Sequence, residues 1–236
     1  SYYKGICVFS DFLNLNEQSI FLSMKSELPA IQYDFFGGFP DAERKMLCFC
    51  GNDRITAEKE KLFPITCIRI SPENKKFSDS LTHRDFLGAI LHLGIDRSKL
   101  GDILIKEKEG CLFCTSSIHT FIMEQLIKVK HTMVNTAVIE QEDFQYEPAL
   151  KEITGTVSSV RLDSILSVAF RSSRSSMAGL IQGGKVYVNS REVVSNSYVL
   201  KDHDVVSVRG YGKFIYIGTS YQTKKGRYSV KVLLYT

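Results

Sequence analysis

The chain has 236 residues, 44% hydrophobic and 24% charged, a composition that fits two or three small globular domains. No stretch approaches the roughly 20 consecutive apolar residues that a membrane-spanning helix requires. The formal charge of +4 hides an asymmetry: residues 155–236 hold twelve Lys/Arg against four Asp/Glu, net +8, while residues 1–154 hold eighteen against twenty-two, net −4. A basic module on an acidic body is the electrostatic footprint of a protein that meets a polyanion.

The opening "SYYKGICVFSDF" lacks the basic end, apolar block and small-residue cleavage site of a secretory leader. It also starts without Met, which reads as trimming. A soluble cytoplasmic protein with no membrane contact is expected. Residues 11–28, "DFLNLNEQSIFLSMKSEL", read as an amphipathic helix with Ile20, Phe21 and Met24 at helical spacing. "FFGGFPDAERK" follows as a turn, with "DAER" opening a short helix, and "KMLCFCG" is strand-like. Residues 1–63 are thus expected to form a small N-terminal α/β unit.

Residues 64–145 read as a second domain, with a weak boundary near "SPENKKFSDS" at 71–80. "FPITCIRIS" alternates as a strand. "THRDFLGAILHLGI" is a helix with Thr82 as N-cap and Phe86, Leu87, Ile90 and Leu91 on one face. "GDILIKE" and "GCLFCTS" form a hairpin across Lys108–Gly110, "SIHTFIMEQLIKV" a second helix and "TMVNTAVIE" a last strand. The order βαββαβ predicts a ferredoxin-like middle domain within an α+β fold. Its strand "GCLFCTS" offers only Phe113, so base stacking is not assigned to this sheet. The polar stretch 140–159, "EQEDFQYEPALKEITGTVSS", reads as a linker.

Six cysteines, Cys7, Cys48, Cys50, Cys67, Cys111 and Cys114, are too sparse for a secreted disulfide framework. "CLFC" at 111–114 has the spacing of half a zinc site, but no second half accompanies it. The cysteines are expected to be small buried hydrophobes on strands. The histidines His83, His92, His119, His131 and His203 show no metal-ligand spacing, so no metal and no cofactor is expected. "GGFPDAER" lacks the Lys-Ser/Thr of a phosphate-cradling loop. Glu43 and Arg44 are expected to support local packing or a partner contact.

Residues 156–236 read as a third domain. "VRLDSILSVAF" is a helix capped by Ser158 or Ser159, with Leu162, Ile165, Leu166, Ala169 and Phe170 on a buried face. Arg161 sits at its first turn and Arg171 just past its end. "SSRSSMAGLIQGG" is a second helix, capped by Ser172 or Ser173. It buries Met177, Leu180 and Ile181 and stops at a left-handed Gly183. "KVYVN" is a strand with Val186 and Val188 inward, turning at Asn189-Ser190. "REVV" and "DVVSVRG" look like further strands. A helix start with free N–H groups, the hydroxyls of Ser173 and Ser175, and Arg174 suits a phosphate. Arg161 can converge on Arg174, Lys185 adds a cation beside the Gly183-Gly184 turn, and Asp163 is read as orienting an arginine.

This stretch, "RLDSILSVAF-RSSRSSMAGLIQGGKVYVN…DVVSVRG", resembles the S4 RNA-binding domain over residues 160–210. Two turns depart from the pattern: Asn189-Ser190 stands for Asn-Gly, and His203-Asp204 for Gly-Asp. "GGFPDAER", "HRDFLGAILHLGIDRSKLGDI" (83–103) and "RGYGKF…TKKGR" (209–227) further resemble bacterial YlmH-type S4 proteins, over most of the chain. The resemblance implies a non-catalytic RNA-binding protein of the large ribosomal subunit. Its partners would be ribosomal RNA and, in some members, peptidyl-tRNA during ribosome-associated quality control. A monomer is expected. Two alternatives stand beside it. One is an RNA-modifying enzyme of pseudouridine-synthase type with its chemistry in residues 1–140. The other is an adaptor, matching the family's cell-division association.

The expected RNA contacts are Arg161, Arg171, Ser173, Arg174, Ser175, Lys185, Asn189, Arg209 and Lys213, joined by Arg97 and Lys99 and by Lys224, Lys225 and Arg227. The last three fall at the end of "YGKFIYIGTSYQTKKGRYSVKVLLY", which reads as a hairpin appended to the S4 core, packed through Phe214, Tyr216, Val230 and Val232. A flexible basic tip there would reach backbone phosphates and read bases poorly.

Overall fold

The computed structural model describes residues 7–27, 32–50, 62–140 and 144–236. They divide into two compact units: the described residues up to 14 with those between 24 and 146, and residues 15–23 with 147–236.

In the first unit, β1 (Val8–Leu13), β2 (Gln32–Phe36) and β3 (Lys45–Cys50) form an antiparallel sheet in the order β1-β3-β2. Asp11 to Leu13, expected to open a helix, are instead strand, because Phe12 buries itself opposite Met46. The helix is shorter, α1 (Leu15–Met24), and residue 28 lies outside the described residues. Its expected apolar stripe is not buried: Ile20 and Met24 face solvent and Gln18 is the buried residue. α1 groups with the second unit, where Ser19 Oγ accepts a hydrogen bond from the Glu192 amide at 2.9 Å.

The next elements are β4 (Ile65–Pro72), α2 (His83–Leu91), β5 (Leu100–Lys106), β6 (Glu109–Thr115), α3 (His119–Gln125), β7 (Lys128–Val129) and β8 (Thr132–Ile139). The sheet order β5-β6-β4-β8-β7, all antiparallel, is the ferredoxin-like arrangement with one short added strand. Thr82 opens α2, its amide and hydroxyl both donating to Asp85 at 2.8 Å. Phe86 and Ile90 of α2 and Ile122 of α3 pack on Ile68, Ile70, Leu100 and Leu112. On the opposite face Cys67, Phe113 and Ile139 pack against Phe12, Phe39, Met46, Cys48 and Cys50. Phe113 lies 5.0 Å from the Phe39 ring and 5.1 Å from that of Phe144.

"DAER" forms no helix. Its backbone is held by the Asp102 carboxylate, which accepts from the Glu43 amide at 2.6 Å and the Arg44 amide at 3.2 Å. The Arg44 guanidinium donates to the carbonyls of Leu100 and Phe12, each at 2.8 Å. The motif therefore latches the small sheet onto the ferredoxin-like one. Cys7 and Cys50, expected as free hydrophobes, form a disulfide. Cys48, beside it at 3.4 Å, is a buried thiol. These three sulfurs lie within 4.8 Å of one another, but with two of them bonded together they cannot complete a tetrahedral zinc shell.

The second unit contains β9 (Leu150–Val157), α4 (Leu162–Ala169), α5 (Arg174–Gln182), β10 (Val186–Val188), β11 (Arg191–Glu192), β12 (Val205–Val208), β13 (Gly212–Gln222) and β14 (Tyr228–Tyr235). They build a six-stranded antiparallel sheet in the order β11-β10-β12-β13-β14-β9. Part of the predicted linker is thus a strand: β9 pairs with β14 over its whole length, from Tyr228↔Val157 to Tyr235↔Leu150. Leu162, Ile165, Leu166, Met177 and Ile181 pack on Val206, Phe214, Val230 and Val232. Leu180 is only partly buried. The left-handed residue after α5 is Gly184 (φ 64°), while Gly183 has φ −81°.

Ile181→Ala should cost about 2–5 kcal/mol in denaturant unfolding, and Leu180→Ala clearly less, because only Ile181 is wholly enclosed. The two-residue β10–β11 turn places Asn189 (φ 49°) and Ser190 (φ 65°) in the left-handed region. Ser190→Gly should therefore raise stability by about 0.5–1 kcal/mol, measured the same way.

Candidate RNA-binding site

The centre of the site is a carboxylate, Asp163, in the first turn of α4 and 5% exposed. Its Oδ2 accepts from Arg174 Nη2 at 2.7 Å and its Oδ1 from Arg161 Nε at 3.4 Å and from the Ser164 hydroxyl at 3.3 Å. The two arginine side chains stay 50% and 42% exposed. Burial alone would push the Asp163 carboxyl up. The Arg174 hydrogen bond, the charges of Arg174 and Arg161 and a backbone hydrogen bond from Ser164 outweigh it and hold the group below its usual range. Asp163 is thus a post under two surface guanidiniums, each keeping further N–H donors for an anion.

Local backbone chemistry explains the placement. Arg161 itself is the N-cap of α4, not Ser158 or Ser159, and its side chain does no capping. The first α4 amides are met by loop carbonyls: Leu162 N donates to Tyr198 O at 2.9 Å and Asp163 N to Asn196 O at 3.4 Å. α5 is capped by Ser173, whose Oγ accepts from the Ser176 amide at 3.1 Å and lies 3.0 Å from the Ser175 hydroxyl. Arg174 is the first helical residue, where the helix dipole favours an anion.

A second pair of cations meets at the end of β10 and β12. Lys185 and Arg209 are exposed, and the Arg209 amide donates to the Lys185 carbonyl at 2.9 Å. Arg171, also exposed, follows Phe170, whose ring packs on Tyr211 at 5.6 Å. Tyr211, 45% exposed between Arg209 and Lys213, went unnoticed in the sequence. Its signal was an aromatic between two glycines in "RGYGKF".

The other expected contacts are engaged within the chain. Asn189 Nδ2 donates to Asp204 at 2.7 Å and Oδ1 accepts from the Val205 amide at 3.0 Å, which braces the left-handed turn. Lys213 Nζ lies 4.3 Å over the Tyr235 ring. Arg227 donates to the Thr156 carbonyl at 2.6 Å and hydroxyl at 3.2 Å, pinning the hairpin to β9. Lys224 and Lys225 are exposed. Arg97 and Lys99 belong to the first unit. Arg97 donates to Leu100 O at 2.6 Å, and burial, with Arg44 nearby, lowers its pKa to about 10. Lys99 pairs with Asp11 at 2.6 Å.

The α4–α5 pair, the strand and two-residue turn that follow, and the guanidiniums raised on Asp163 define an S4 RNA-binding module. Residues 160–206 match the S4 domain family, and residues 59–143 match the family described as "Putative RNA-binding domain in YlmH". The chain is 31% identical over 225 residues to the ribosome-associated protein quality control protein P2 of Bacillus subtilis (strain 168), covering 94% of this chain and 84% of that one. It belongs to the YlmH-type S4 proteins. A solved structure described as cell division protein YlmH from Streptococcus pneumoniae is 23% identical, covering 59% of this chain and 81% of that one, with a TM-score of 0.46.

The acid limb of stability should report the Asp163 post. Its folded-state pKa lies below the unfolded value of about 3.9, so its contribution is fully present above that pH and is lost as pH falls through the lower folded value. Asp163→Asn should unfold about 1–2 kcal/mol more easily at pH 7, and the gap to the parent should close below about pH 4.

Proposed function

We propose that this chain is a non-catalytic binder of structured RNA on the large ribosomal subunit, gripping backbone phosphates through the S4 surface. The observation that carries this is the buried Asp163 with Arg161 and Arg174 raised on it. A buried carboxylate that fixes two half-exposed guanidiniums removes conformational freedom before RNA arrives, so less is lost on binding. Lys185, Arg209 and Arg171 extend the cationic surface, and among the described residues their side chains make no ion pair. The name of the Bacillus subtilis relative supports the ribosome as partner and protein quality control as the setting; peptidyl-tRNA as a further ligand is part of our proposal. We take the protein to act as a monomer in the cytoplasm. No helix among the described residues is long and apolar enough to cross a membrane.

Two features weigh against chemistry on RNA. The Arg161-Leu162-Asp163 sequence is built into the start of an S4 helix, with its buried carboxylate hydrogen-bonded to both arginines, which favours a bracing role over a nucleophilic one. A cavity of about 200 Å³ in the first unit is lined by Phe36, Phe63, Phe113 and Phe144, with Glu140 its one carboxylate among the described residues. Acid–base catalysis calls for a paired acid and base at hydrogen-bonding reach of a substrate, and the described lining brings no histidine, lysine or arginine to Glu140.

The test separates grip from fold. Lys185→Ala with Arg209→Ala should weaken binding to purified large subunits about tenfold or more and flatten the salt dependence, without lowering the melting temperature. Arg174→Ala should lower affinity by about 1–3 kcal/mol and also destabilise the unit, because it strips a partner from a buried carboxylate. Affinity unchanged in both variants, or insensitive to salt between low and physiological concentrations, would overturn the proposal.

A further inference from the structure

The β13–β14 hairpin lies beyond both matched stretches and differs from the flexible basic tip that its sequence implies. Its turn is framed. Thr223 N donates to Arg227 O at 2.7 Å, Gly226 N to Thr223 O at 2.8 Å, and Arg227 N to Thr223 Oγ1 at 3.0 Å. Gln222 Nε2 closes the turn on Gly226 O at 3.1 Å. Arg227 then ties the tip to Thr156 of β9. Lys224 and Lys225 therefore project from a fixed frame.

Tyr221, near the end of β13 and three residues before Lys224 in the chain, is 63% exposed, and Tyr228, the first residue of β14, is 37% exposed. Among the described residues the Tyr221 side chain makes no hydrogen bond or ring contact, so folding gives no reason for its ring. Residues 205–236 carry six Lys/Arg and no Asp or Glu. A surface that held phosphates alone would need no ring. A bare aromatic ring on the strand that leads into a fixed turn with two exposed lysines has the chemistry of a stacking platform for one nucleobase with its flanking phosphates. Bases inside a duplex are already stacked on one another, so such a platform takes an unpaired nucleotide.

We propose that the β13–β14 tip is a second RNA-binding element that holds an unpaired nucleotide of loop or single-stranded RNA, with Tyr221 stacked on the base and Lys224 and Lys225 on the adjoining phosphates. It rests on the RNA-binding function proposed above, and deepens it by naming the kind of RNA.

The chain contains no Trp, so Tyr221→Trp makes a lone tryptophan at the platform, excited selectively above the tyrosine absorption band. The full-length variant is titrated with short oligo(A) RNA and with a blunt RNA duplex of equal phosphate count. Binding is followed in parallel by electrophoretic shift, and folding by thermal melting. The tip element predicts saturable quenching by oligo(A) of at least about twofold, and little by the duplex. Tyr221→Ala should weaken oligo(A) binding roughly fivefold or more, which Tyr221→Trp preserves. Lys224→Glu with Lys225→Glu, in the Trp background, should move the quenching midpoint to higher RNA concentration. RNA binding with unchanged Trp emission overturns the tip element and leaves the S4 grip standing. Equal quenching by the duplex overturns the preference for unpaired RNA. Absence of RNA binding in the folded protein overturns the broader proposal as well. A shift in sedimentation to a dimer, lost in Tyr221→Ala, would make the ring a contact between two copies and overturn the RNA assignment.

Discussion

A carboxylate removed from water is among the most costly groups a fold can carry, and Asp163 is nearly wholly removed. It persists because Arg174 reaches it from the next helix and Arg161 from its own start. That requirement ties α5 to α4 beside the shared apolar core that holds Leu166 and Met177. It also converts a structural demand into a surface property. Each arginine has one part of its fork used inward and the rest turned to solvent, so two cations stand in place without any partner outside the chain. A lysine at either position would supply the charge without the planar fork that can serve two anions at once.

The second constraint is closure of the sheet. β9 comes before the helices in the chain and β14 after the unit's other strands, yet they are neighbours, so the sheet under the helices has an edge strand held by a partner about 75 residues further along. Gly155 sits under Val168 of α4, where a Cβ would come within 2.7 Å of a valine methyl. The helix and the strand that flanks it thus approach as closely as backbone permits. The same pairing stiffens the long β13–β14 hairpin, whose outer half would otherwise be a two-stranded ribbon of marginal stability.

The sequence was most legible where burial was periodic. The βαββαβ order, the Thr82 and Ser173 caps and the turn at Asn189-Ser190 stand in the structure as expected. It was least legible on edge strands. In "LKEITGTV" only Ile153 and Val157 are buried, so β9 has the composition of a linker and is a strand because β14 needs a partner. β1 hid behind the helical spacing of the residues that follow it, and β2 behind the glycines after it. Charge was legible in total and not in role. Composition cannot separate an arginine that faces solvent from one used as a brace. Arg227, Arg97 and Arg44 bond backbone carbonyls, Arg174 divides itself, and Arg209 and Lys185 stand exposed. Those differences arise from contacts of very different range: 71 residues in the chain for Arg227 and Thr156, 56 for Arg44 and Leu100, a buried acid one helix away for Arg174, and only three for Arg97 and Leu100.

The ferredoxin-like sheet carries a last constraint on how the first unit can meet RNA. Modules of this topology that read RNA by their sheet do so with exposed rings on the central strands. Here the strand in that position offers Phe113, and it is 2% exposed. The rings of Phe39 and Phe144 lie on it, and Phe12 and Met46 fill the same layer. A nucleobase would have to displace that apolar layer, at a cost of several kcal/mol for rings of this size. Any RNA contact made by the 59–143 stretch must therefore come from its loops, edges or helical face, with the sheet serving as the scaffold that positions them.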